Sequence, residues 1–298
     1  MADRNADTDR DDKADVEENR VVEKSAHFVD EADVEEAIDQ IGLGVFHWEV
    51  FLVVGLFQAA DAIEMGFISF VTAVLKTEWG FDESDKATME SMVFIGMAIG
   101  APTWGWLADK YGRRPIMLLS AGIVSISGFV SAACSSVLQL IMVRFMVGFS
   151  CSGYVVAFDV FAETLPTSYR GPLTMSTVYW FTVGAVYSNL AAKLLLCSYG
   201  WRTFTVVCAL PTLVASIAGF FVVPESAHWL AAEKRNEDAA KVLNDIARRN
   251  GSPRRYGKVT TPSILEQIGT MDLCRRSKLR RPLILMIIVW LGWGMDLF

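Results

Sequence analysis

Charge is scarce along most of this chain. Only 20% of its 298 residues are Asp, Glu, Lys or Arg, 52% are hydrophobic, and the mean hydropathy is +0.33. Soluble domains carry about a quarter charged residues. The balance excludes a soluble enzyme and a disordered protein, and favours a chain that spends much of its length in lipid. Histidine is rarer still, with His27, His47 and His228 far apart. The five cysteines, Cys134, Cys151, Cys197, Cys208 and Cys274, are odd in number and form no CxxC pair. No disulfide framework, metal site or cofactor is therefore expected. No serine–histidine or cysteine–histidine pair stands out, and Gly42-x-Gly44 lacks the third glycine of a dinucleotide loop. The chain is not expected to be an enzyme.

The charge that is present is unevenly placed. Residues 1–39 hold 15 acidic and 5 basic side chains, a balance of −10, so the other 259 residues carry +3. An acidic tail repels nucleic acid, and no nucleic-acid partner is expected. Residues 1–39 read as an acidic, disordered cytoplasmic tail, with a short amphipathic helix in the last ten.

Apolar runs follow at residues 49–75, 88–108, 116–136, 138–162, 172–196 and 203–223. Each is long enough to cross about 30 Å of hydrocarbon at 1.5 Å per residue. Residues 40–224 are thus expected to be a six-span transmembrane domain. Residues 282–298 begin a seventh span that stops at its last apolar residue, which predicts a truncated chain. Between them, residues 225–281 hold thirteen Lys and Arg from Lys234 to Arg281. This reads as a cytoplasmic linker. Its amphipathic stretch, residues 227–249, is expected on the membrane surface or under the bundle, followed by a polar loop and a short helix near residues 263–275.

Basic residues cluster after the second, fourth and sixth runs, including Lys110, Arg113, Arg114 and Arg170. That side is cytoplasmic by the positive-inside rule, and the N-terminus lies on it. The sequon at Asn250 then faces the cytosol and stays unmodified.

Asp61 and Glu64 stand three apart in the first run, on one helix face. Carboxylates at that depth usually line a cavity or a pathway. They suit ion coupling or binding of a cationic group, against a structural pair with neighbouring helices. Asp159, in the fourth run, is a further candidate for the same work.

The second loop reads Gly105-Trp-Leu-Ala-Asp109-Lys-Tyr-Gly112-Arg113-Arg114. This string resembles the signature loop of the major facilitator superfamily. Arg144-Phe-Met-Val-Gly148 resembles that family's R-x-x-x-G element. Glu163-Thr-Leu-Pro-Thr-Ser-Tyr-Arg170-Gly171 and Pro224-Glu225-Ser226 resemble the sugar-porter-like members, with Ala227-His228 standing where the pattern has Pro-Arg. The Asp61-x-x-Glu64-Met65 element and Glu78-Trp79 are similar to the synaptic vesicle 2-related branch.

The resemblance implies an all-α membrane protein of the major-facilitator type. Six helices would form its N-terminal half, with a partial seventh. It implies secondary active transport of a small organic solute by alternating access, with proton or cation coupling, as in a symporter. Gly105, Asp109, Gly112, Arg113, Arg114, Arg144, Glu163, Arg170 and Glu225 would form a gating network that does not touch substrate. Expected partners are the solute, the lipid bilayer, and a C-terminal half or sibling subunit. The membrane is that of an intracellular vesicle or the plasma membrane. A non-transporting vesicle-membrane binding protein and a half-length regulator remain the alternatives.

Overall fold

The computed structural model describes residues 27–260 and residue 285. The short helix expected near 263–275 and most of the seventh apolar run lie outside the described residues. Chain order is β1 (His27–Asp33), α1 (Val34–Ile41), α2 (Val45–Glu78), α3 (Glu83–Tyr111), α4 (Arg113–Ala133), α5 (Val137–Cys151) and α6 (Tyr154–Thr164). It continues with α7 (Thr167–Ser176), α8 (Val178–Val222), α9 (Ala227–Ala232), α10 (Asn236–Arg249) and β2 (Arg254–Thr260).

Among the described residues, five helical segments are long and apolar enough to cross a membrane, the last of them being Thr167–Val222. That last segment is two crossings. Gly200 inside α8 has φ 80°, which breaks the helix. Tyr187 Oη then donates to the carbonyl of Val207 at 3.0 Å. In one straight helix those residues would be roughly 30 Å apart. The chain therefore reverses at Gly200.

Contacts at the ends fix the alternation of the spans. At one end, Trp201 Nε1 donates to Glu78 at 2.9 Å and Arg202 Nη2 donates to the Cys134 carbonyl at 3.3 Å. At the other end, Trp229 Nε1 donates to the Asp109 carbonyl at 2.8 Å, and Asp39 accepts from Thr167 N at 2.7 Å. We call the second the linker end.

Small residues let the helices close on one another. Gly96 and Gly100 of α3 lie against the backbone of α5 at Phe145 and Phe149, and Gly148 of α5 lies against Val93. A side chain at any of these would meet backbone, which cannot give way. Phe67 and Phe204 stack at 6.0 Å between α2 and α8.

The linker end carries a cap in which α1 is the short helix expected there, while the strand pairing of β1 departs from expectation. Residues 27–41 are folded, as β1 and α1. β1 pairs in parallel with β2, from His27 opposite Arg254 to Asp33 opposite Thr260. Within this register the acid Glu31 faces the base Lys258. α1 starts at Asp33, whose side chain accepts from Glu35 N at 2.8 Å. It buries Val34, Ala37, Ile38 and Ile41. The expected amphipathic helix is broken in two at Lys234, which has φ 61°. α10 turns Ala239, Ala240, Leu243, Ile246 and Ala247 inward against this cap. Asn250 is spent as a pin. Its Oδ1 accepts from Phe46 N at 3.1 Å and its Nδ2 donates to the Gly42 carbonyl at 3.2 Å.

Candidate functional site

Two polar clusters lie in the bundle, one inside it and one at the linker end. The inner cluster starts on α2. Glu64 Oε2 accepts from Arg144 Nη1 of α5 at 2.6 Å, and both side chains are buried, at 8% and 1% exposure. Arg144 Nη2 also donates to Ser131 Oγ of α4. Its guanidinium lies over the Phe67 ring, 4.3 Å from the centroid. One arginine thus ties three spans together. An unpaired charge at this depth would cost several kcal/mol, and the pairing offsets that cost.

Asp61 stands one turn before Glu64 but shares none of this. It is half-buried, at the midpoint of α2. Among the described residues, nothing donates a hydrogen bond to it and no cation pairs with it. Tyr154 and Cys151, at the α5–α6 junction, are within electrostatic range of both carboxylates.

The outer cluster is built around Arg113 at the start of α4. Its Nη2 reaches Glu163 at 3.2 Å and Asp109 at 3.5 Å, and its Nη1 reaches Asp159 at 3.5 Å. Three carboxylates from α3 and α6 thus face one guanidinium. Glu225 closes the cluster from the far side. Its Oε1 accepts from the backbone N–H of Arg113 at 2.8 Å, of Arg114 at 3.1 Å and of Ser226 at 3.0 Å. A carboxylate over the free N–H groups of a helix start is favoured by both hydrogen bonds and helix dipole. Gly112 makes this possible. It holds φ 105° between α3 and α4, and a Cβ there would lie 2.5 Å from Glu225 Oε2. Glu163 Oε2 accepts from Ser226 Oγ at 2.5 Å.

Several expected members of the network are placed elsewhere. Arg144 is remote from Arg113 and sits inside the bundle with Glu64. Asp159 is the reverse case: expected beside the membrane carboxylates, it is drawn to Arg113 at the linker end. Among the described residues nothing lies within 4 Å of where a Gly105 Cβ would be, so none of them makes a close helix approach there. Arg114 turns away, donating to the Phe220 carbonyl at 2.6 Å. Arg170 joins Glu35 of α1 at 2.8 Å, and His228 of α9 meets the same carboxylate at 3.4 Å. Sequence reasoning missed Arg144 as the partner of Glu64 and missed Ser131 altogether. The signal was there for Arg144: among the described residues it is the only buried lysine or arginine, and an intramembrane cation calls for a carboxylate.

The sequence family described as "Sugar (and other) transporter" matches residues 50–293. The chain is 32% identical to the synaptic vesicle 2-related protein of Xenopus laevis over 226 residues. That match covers 76% of this chain and 41% of the relative. It is 31% identical to organic cation/carnitine transporter 7 of Arabidopsis thaliana over 218 residues, covering 73% of this chain and 43% of the relative. The fold is similar to that of the xylose transporter XylE from E. coli, with a TM-score of 0.60 at 21% identity, covering 70% of this chain and 56% of that one. The chain spans about half the length of the curated relatives it matches. It belongs to the sugar (and other) transporter family, and its six crossings are the N-terminal half of a major-facilitator fold.

Proposed function

We propose that this chain is the ligand-facing half of a secondary active transporter for a small organic solute. The observation that carries the reading is the buried Glu64–Arg144 pair at 2.6 Å. A bundle that only anchors a protein in lipid has no use for charges at that depth, and such residues mark solute or ion pathways. Transporters of this architecture place their sites near the midplane, between repeats that rock against each other.

In this reading Glu64 and Arg144 couple the solute to an ion. A proton or a solute that takes up the carboxylate would release the guanidinium and loosen the α2–α4–α5 contact. The Arg113 cluster would stabilise one end state by holding α3, α4, α6 and the start of the linker together. The basic loops support a cytoplasmic linker end, and the name of the Xenopus laevis relative supports a vesicle membrane.

The test is uptake of labelled solutes by vesicles holding the full gene product that carries this sequence, with and without an imposed pH gradient. Gradient-driven uptake that Glu64→Gln abolishes is the expected result. Uptake that ignores the gradient and survives Glu64→Gln would overturn the coupling role. Silence across cationic, anionic and neutral solutes would favour a binding protein over a carrier.

A further inference from the structure

The two membrane carboxylates are not equivalent. Glu64 has its counter-charge in Arg144. Both terminal nitrogens of that arginine are occupied, by Glu64 and by Ser131. Asp61 has no counter-charge among the described residues, although it lies at the centre of a membrane-crossing helix. Its neighbours Ala60, Ala62 and Ile63 are buried, while Asp61 itself keeps an open flank. A carboxylate so placed is costly unless a positive group reaches it.

The surroundings are also prepared for a ligand. The Tyr154 hydroxyl and Thr212 Oγ1 are buried, at residue exposures of 5% and 1%, and among the described residues the Thr212 hydroxyl has no polar neighbour but Tyr154. The two lie next to each other, and Tyr154 is within electrostatic range of Asp61. Phe57, one turn before Asp61, packs its ring 5.3 Å from that of Tyr154. Two buried hydroxyls so placed leave donor and acceptor capacity unused, which calls for an explanation. Aromatic faces beside a carboxylate are the usual surroundings of a bound ammonium group.

We propose that Asp61, with Tyr154, Thr212 and the face of Phe57, is a site for the ammonium group of a small organic cation. The proposal rests on the transporter reading and names the substrate class of that site. Asp61 supplies the charge. The hydroxyls of Tyr154 and Thr212 accept from N–H groups of the ligand or order a water beside it. Glu64 is already neutralised by Arg144 and does not compete for the cation.

Binding tests this without requiring translocation, so it can fail while transport stands. The probes are choline and its uncharged isostere 3,3-dimethylbutan-1-ol, with the chain in lipid nanodiscs and thermal stabilisation as the readout. Choline should stabilise the chain at concentrations where the isostere does not. Asp61→Asn should weaken the choline effect by roughly tenfold or more, and Tyr154→Phe should weaken it less. Equal effects of choline and the isostere on the unmodified chain would overturn the proposal, whatever the variants do. So would a choline effect that survives Asp61→Asn. Stabilisation by Na⁺ with none by choline would assign the site to an inorganic ion and overturn the organic-cation claim. If choline binds but no solute is carried, the site stands and the transport reading falls.

Discussion

Glu64 and Arg144 are 80 positions apart in sequence, and their ion pair is the most demanding interaction in the bundle. Removing one partner leaves the other charged and buried. Glu64→Gln and Arg144→Met should each destabilise the chain by about 3–5 kcal/mol, while replacing both with apolar residues of similar volume should cost much less. A double-mutant cycle of unfolding in detergent reads this directly. Additive single effects would mean that the pair does not act as a unit. The charge pattern made the acids legible, because a carboxylate in an apolar run is conspicuous. It did not show which acid owns the arginine. Asp61 and Glu64 share a helix face, and only the packing of α5 against α2 decides that Arg144 meets Glu64. Gly112 was legible for a similar local reason, since a glycine between two basic helical runs marks a turn. Its second duty, making room for Glu225 from 113 positions away, was not.

At the scale of elements, the long apolar helices and the amphipathic helices of the cap announce themselves, whereas the two strands of the cap do not. β1 and β2 are short and charged, and neither alternates cleanly. Each alone reads as solvated chain. They become strands by pairing with each other, with Glu31 opposite Lys258, across more than 200 intervening residues. α1 then places Glu35 between Arg170 and His228. His228 also faces Glu163 and Asp33, which favour its charged form, and Arg170, which opposes it. Burial outweighs the acids and holds the imidazole below its ordinary value of 6.5. Docked, the ring therefore binds a proton less readily than when free. Docking of α1 is at full strength above about pH 6.5 and weakens as pH falls below that value. Hydrogen exchange through residues 27–41, corrected for intrinsic rates, should thus be slower at about pH 7.5 than at about pH 5.5. His228→Asn should remove most of that difference. Protection that rises on acidification would show that the Glu35 contact outweighs burial, and the sign would be reversed.

For the whole molecule, the alternation of ends carries the argument. Residues near 79, 134 and 200 share one end, and residues near 39, 112, 166 and 225 share the other. Arg113, Arg114 and Arg170 sit at the second end, as do Lys241, Arg248 and Arg249 of α10. The first end has little more than Lys76, Lys86, Lys193 and Arg202. A bundle inserted with its basic end inside keeps that end in the cytosol. Single cysteines test the assignment. Cys197 is a free, exposed thiol near the Gly200 turn, and both it and Cys274 of the linker must first become serine. On that background, Lys76→Cys should react with a membrane-impermeant maleimide in intact cells. Lys110→Cys, exposed at the end of α3, should react only after the membrane is opened. The reverse pattern would place the Arg113 cluster outside and the folded cap with it. The cytoplasmic reading of residues 27–41 would then be lost, even though every helix stayed where it is. Reaction of both positions in intact cells would mean that the bundle inserts in two orientations, as a weak charge bias allows.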